Sequence, residues 1–238
     1  MRREPPHINH NNHSTPHSAK KEPSMPLTDL HRAISEHTGQ FTCERLRKPA
    51  ETRVVTFKHL IQPPAALDEA AQAAIPDVGQ LRAFYATFGA LMLYHDAQSG
   101  EAARYIAPTA EWTSLHDGFA GWTQDLSDKE IKEERANTLP PWVEHCVVIG
   151  EVPRTGNYIL VATDGESAGQ VFEFDNNGLV FTRKANDIVA YVEQLLTPDA
   201  AGLTEIASHM RFTDKNYGTQ WHIVEMRDNQ DKHVRTQV

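Results

Sequence analysis

The sequence predicts an α+β fold, a mixed but mostly antiparallel sheet covered by helices, in one domain with N- and C-terminal extensions. Three observations carry that prediction. Between Cys146 and Thr182 four short apolar runs, rich in β-branched and aromatic residues, follow one another with turn residues between them. Directly after them, Ile188, Tyr191, Val192 and Leu195 fall at i, i+3, i+4 and i+7, the spacing of one helix face. Far upstream, Val78, Leu81, Tyr85, Phe88 and Met92 step by 3, 4, 3 and 4, with Phe84 and Leu91 widening the stripe.

In chain order, residues 1–24 hold Pro, His, Asn, Ser and charge around a single aliphatic residue, Ile8. Such a leader cannot bury enough apolar surface to offset its ordering entropy, and a disordered tail is the expectation. Its His7, His10, His13 and His17 lack the fixed surroundings that a selective metal site needs. Thr28 or Asp29 caps a short helix through Leu30, Ala33 and Ile34 toward Gly39. Residues 40–62 are ambiguous, with Arg53–Lys58 the best strand. Leu67–Ile75 reads as an Ala-rich helix. Gly89 marks where the Val78 stripe stops being a helix and Leu91–Tyr94 becomes extended. Glu111–Trp122 is a helix with Trp112, Leu115, Phe119 and Trp122 on one side, and the charged Ser127–Arg135 is a solvated helix or loop.

The central unit then runs through Val147–Gly150, Tyr158–Thr163 and Gln170–Asp175. The last of these alternates, with Phe172 and Phe174 on one face and Glu173 and Asp175 on the other. Asn177-Gly178 predicts a two-residue type I′ turn into a strand from Leu179 to Thr182. Asn186 or Asp187 caps the closing helix and Pro198 stops it. Beyond lie a weaker helix through Leu203, Ile206, Ala207 and Met210, a strand at Trp221–Met226, and a polar last dozen residues expected to fray. The resulting division is a leader at 1–24, an N-terminal elaboration at 25–66, a core domain at 67–198 and a C-terminal extension at 199–238.

Charge bounds the partners. The formal net charge is -9, which disfavours direct nucleic-acid binding. Residues 1–60 hold ten Lys/Arg against six Asp/Glu, whereas residues 61–205 come to about -14 by the same count. An acidic body of this kind suits a basic protein partner. Two cysteines, Cys43 and Cys146, are too few for a disulfide framework and fit a reducing compartment. No run approaches the ~18 apolar residues of a membrane span, and no secretory signal opens the chain, so the cytoplasm is expected.

Catalytic motifs fail on context. Gly165-Glu166-Ser167-Ala168-Gly169 matches G-x-S-x-G, but a nucleophile elbow joins a strand to a helix, and here two strands flank the pentapeptide. Asp175-Asn176-Asn177-Gly178 opens like a calcium loop, yet the bidentate glutamate position holds Lys184. Ser114, His116 and Asp117 are too close in sequence for a triad, and a Cys146 thiolate in an apolar strand is disfavoured by desolvation. No catalytic residue, cofactor or metal ligand is assigned, and the chain is expected not to be an enzyme.

The order of elements resembles the SUKH superfamily, the fold of the yeast cell-wall-synthesis regulator. The likeness rests on the helix with Leu81, Phe84, Tyr85 and Phe88-Gly89 shortly after Pro76. It continues through Ile149-Gly150, Gly156-Asn157-Tyr158 and Gly169–Asp175 to the closing helix from Ala185 to Leu196. It spans roughly residues 67–196. There are departures: Leu81 stands where an aromatic is usual, the Asn-Gly pair reads Gly89-Ala90, and Ile188 and Tyr191 replace two phenylalanines. The resemblance implies an immunity protein that neutralises a cognate bacterial toxin, with a nuclease the kind whose basic surface would match these acids. A regulatory adaptor is the alternative it allows. The expected contact residues are Asp117, Asp125, Glu151, Asp164, Glu166, Glu173 and Asp175, all taken as outward acids.

Overall fold

The computed structural model describes residues 24–124, 139–209, 212–213 and 220–237. The expectations for the leader, for Asp125, for Ser127–Arg135 and for Met210 lie outside these residues.

The chain is α+β. Helix α1 (Leu27–Glu36) precedes a hairpin of β1 (Gly39–Arg45) and β2 (Lys48–Gln62). Then come α2 (Glu69–Ala74), α3 (Leu81–Thr87), β3 (Ala90–His95), β4 (Arg104–Ile106) and α4 (Trp112–Gln124). Strands β5 (Cys146–Val152), β6 (Asn157–Ala162), β7 (Val171–Asp175) and β8 (Val180–Ala185) lead to α5 (Ile188–Leu196) and α6 (Ala200–His209). Short β9 (Phe212–Thr213), β10 (Gln220–Asp228) and β11 (His233–Arg235) close the described chain.

One sheet holds all of these strands, in the order β11-β10-β1-β2-β3-β4-β5-β6-β7-β8, with β9 paired to β10. Every pairing is antiparallel, which corrects the mixed sheet expected from sequence. The reason is local. Successive strands from β1 to β8 are neighbours, so each connection only reverses the chain and no crossover forces a parallel pair. The flanking segments join the same sheet, since β1 is hydrogen-bonded to β2 on one side and to β10 on the other.

Alternation along the strands divides the core. On one face Phe41, Phe57, Ile149, Ile159 and Val161 pack with Leu30 and Ile34 of α1, Leu81 and Phe84 of α3, and Ile188 and Val192 of α5. On the other face Val148, Tyr158, Leu160 and Phe174 meet Phe119 of α4 and Val143. Strand β6 is buried at all six positions, which is why its sequence reads as continuous apolar residues.

Helix α3 ends at Thr87, and Gly89 sits so close to the Pro63 backbone that a Cβ would collide with it. Asp187 caps α5, accepting from the Ala190 N–H at 2.9 Å. Three sequence expectations change. The β7–β8 hairpin closes Asp175 on Val180 around four residues, with positive φ at Gly178 and Leu179. It is therefore not the two-residue type I′ turn, because Asn176 is drawn aside to donate to the Thr155 carbonyl at 2.8 Å. The polar end of the chain is not simply frayed, because Val234 buries and Glu225 accepts from the Arg235 guanidinium at 2.9 Å. Strand β2 extends well past Arg53–Lys58 in both directions.

Candidate functional site

The expected contact acids separate when placed on the fold. Glu151 is the last residue but one of β5 and lies opposite Tyr158, and Asp175 ends β7 near that same end of the sheet, on its other face. Asp164 and Glu166 lie at the other end, beyond β6, in and beside the single turn of 3-10 helix at Gly165–Ser167. The length of β6, about 20 Å at 3.3 Å per residue, stands between the two groups. Asp117 is exposed on α4, next to Gly118, which touches the Tyr158 hydroxyl. Among the described residues Asp117, Glu151, Glu166 and Asp175 form no ion pair, and Asp164 faces only His145, at 3.8 Å. Burial, and then the charge of Glu111, raise the Glu151 carboxyl above its ordinary range.

Glu173 is not an outward acid. It is only 8 % exposed, because α5 and α6 cover the face of β7 that was expected to meet solvent. Arg104 from β4 reaches it with Nε at 2.8 Å and Nη2 at 3.3 Å, a bidentate pair, and donates Nη1 to the Ala103 carbonyl at 2.9 Å. The Tyr191 hydroxyl donates to the same carboxylate. Lys184 from β8 lies 3.5 Å from Glu173 Oε2 and donates to Glu205 Oε1 at 2.6 Å, and Arg104 Nη2 also reaches Glu205 at 3.3 Å.

Five elements thus deliver two cations, two carboxylates and a phenol to one place. Burial alone would raise Glu173, but the Arg104 and Lys184 charges outweigh it and hold the carboxyl far below its usual range. Glu205 moves the other way, through burial and the neighbouring Glu173. Tyr191 is pushed up by burial and by Glu173. The cluster floors a cleft of about 330 Å³ between α5 and α6, walled by Leu195, Pro198, Asp199 and Ile206. Sequence reasoning missed this site. Arg104 sits in a three-residue strand that no periodicity announces, and only the lone acid between Phe172 and Phe174 hinted at it.

A second polar constellation lies under α1, between β2, β3 and β10. The Tyr94 N–H donates to His59 Nδ1 at 2.9 Å, so the neutral His59 ring carries its hydrogen on Nε2. That hydrogen is donated to His37 Nδ1 at 2.8 Å, and His37 Nε2 in turn donates to Asp228 Oδ2 at 3.0 Å. The chain of bonds has one direction only. Burial lowers the pKa of both imidazoles, His59 to about 3, helped by its neighbour His37. Burial would raise Asp228, yet the Lys232 and Gln230 amides and His37 hold it low. With His37 3 % and His59 8 % exposed, the relay is enclosed and works as a structural tie.

The structure also places the serine and the two cysteines weighed from sequence. Ser167 joins β6 to β7 by a turn, and Gly169 of the same pentapeptide packs backbone to backbone against Gly79. Burial pushes the Cys43 and Cys146 thiols up to about 12. Among the described residues no group of three or more His, Cys, Asp or Glu side chains is placed to hold a metal ion. No described helix is long and apolar enough to cross a membrane. Compared with known proteins, the chain matches no family model, no curated sequence and no solved structure.

Proposed function

We propose that the chain is an immunity protein that binds and neutralises a basic toxin domain encoded beside it, acting by direct contact and without chemistry of its own. The reading rests on the SUKH-like order of elements and on the acidic body of residues 61–205. The observation that carries it is the set of carboxylates at the two ends of the central sheet, of which, among the described residues, Asp117, Glu151, Glu166 and Asp175 form no ion pair and Asp164 faces only His145. Uncompensated surface acids raise the local concentration of a cationic partner and speed its docking. A nuclease domain, basic because it holds phosphate backbones, is the partner class these acids complement best.

Of the two ends, the one formed by Asp117, Glu151 and Asp175 is the better contact surface. Trp122 shares this end: it is 46 % exposed and packs against Gly156 in the turn after β5. An exposed aromatic at an acidic end of the sheet has the makeup of an interface anchor.

Co-expression with the adjacent gene product tests the reading, with rescued growth and a stable 1:1 complex as the expected result. Reversing Asp117, Glu151 and Asp175 to Lys together should slow association by about tenfold or more at low salt, with the difference shrinking as salt rises. Absence of rescue, or an association rate indifferent to ionic strength, would sink the proposal and leave the regulatory adaptor as the reading to pursue.

A further inference from the structure

The base of the α5–α6 cleft is already an ammonium site with an intramolecular occupant. Lys184 reaches it from β8, the edge strand of the sheet, and its Nζ rests 2.6 Å from Glu205 Oε1 and 3.5 Å from Glu173 Oε2. The Arg104 guanidinium is held mainly by Glu173, engaging both of its oxygens from a fully buried position, and its Nη2 shares Glu205 Oε1 with Lys184 at 3.3 Å. Separating that pair would strand two buried ions. Lys184 and Glu205 are different, with side chains 23 % and 39 % exposed, and a partly hydrated pair of this kind exchanges partners at little cost.

The space beyond the pair has the shape and lining of a lysine slot. The cleft offers about 330 Å³, with Leu195, Pro198 and Ile206 to pack a methylene stem and Asp199 as a further carboxylate at its wall. We propose that the cleft recognises a primary alkylammonium group, presented by a lysine side chain of the basic partner, which replaces Lys184 Nζ on Glu205. Lys184 then turns out to solvent from its edge strand, so charge is conserved and the net gain comes from burying the incoming stem. This deepens the basic-partner reading and rests on it.

The probe is n-butylammonium, titrated against the full chain by NMR, with butyrate as the opposite-charge control. Wild type should bind it weakly, with shifts centred on Tyr191, Leu195 and Glu205. Lys184→Met vacates the slot and should bind about two- to fivefold tighter, the weight of one partly exposed ion pair. Lys184→Gln, which keeps a hydrogen-bonding head, should behave likewise and covers the case in which the methionine variant misfolds. Glu205→Gln should lose the interaction. Equal affinity in wild type and both Lys184 variants, or butyrate binding in place of butylammonium, would overturn the proposal. The two readings fail separately. A toxin complex whose formation leaves these resonances unmoved refutes the slot alone, whereas amine binding without any complex refutes the basic partner alone.

Discussion

At the level of single side chains, His37 and His59 show how one backbone amide can order a whole set of protons. Because the Tyr94 N–H occupies His59 Nδ1, a proton added to His37 Nδ1 would face the hydrogen already on His59 Nε2. Both rings are therefore held neutral. The sign of the linkage follows, since the unfolded chain takes up a proton at each imidazole near pH 6.5 and the folded chain does not. Stability from these residues is complete above pH 6.5 and falls as pH drops toward about 3, the folded value of His59. For His59 alone the loss is about 1.4 kcal/mol per pH unit in that window, and His37 adds in the same direction. The surrounding charged groups are Asp228, held low, and Lys232, which opposes protonation of His37. Urea unfolding at pH 7.5, 6.0 and 5.0 should show the decline. His59→Leu should start about 2–3 kcal/mol less stable, from the orphaned Tyr94 amide and the unpaired His37 ring, with a shallower pH slope. A slope unchanged by that substitution would refute the relay as its source.

At the level of elements, close backbone approaches decide which turns are possible. Gly79 lies at φ +49° in the turn before α3, and Gly169, at φ +84°, leads into β7. A Cβ on either would run into the other's backbone, so this contact seats α3 against the start of β7. Gly79→Ala should cost about 2–4 kcal/mol in thermal unfolding, from a collision and an unfavourable φ together, whereas Gly165→Ala has open space and carries only the cost of its own φ of +64°. Such contacts mark the boundary of what the sequence discloses. The strands at Val147, Tyr158 and Gln170, the α5 face and the α3 stop at Gly89 were legible, because each follows from periodicity or a single residue type. The length of the β7–β8 loop was not, since it depends on Asn176 bonding to a turn some twenty residues away. Nor was the fate of Glu173. Its alternation with Phe172 and Phe174 was read correctly, but alternation names a face and cannot tell whether helices cover it. The candidate cleft stayed hidden for the same reason, as its five polar side chains come from five separate elements.

At the level of the whole molecule, the sheet is closed by residues from opposite ends of the described chain. Strand β10 supplies Ile223 and Met226 to the core and Asp228 to the histidine relay, and it covers the edge of β1. A chain cut before Gln220 should therefore lose its cooperative thermal transition and bind a hydrophobic dye, because β1 keeps its apolar face with no partner on that edge. An unchanged melting curve for the truncated protein would show that β10 and β11 are dispensable. The pairing also has a temporal side. His37 and Asp228 are 191 positions apart, so β1 emerges from the ribosome long before the strand that shields it. At ordinary elongation rates that interval is on the order of 10–40 s. For its duration Phe41 and Cys43 lie on an edge strand open to any extended segment nearby. The step most exposed to misassembly is thus the wait for β10, and a chaperone that holds the nascent β1–β2 hairpin would raise yield without altering the finished fold.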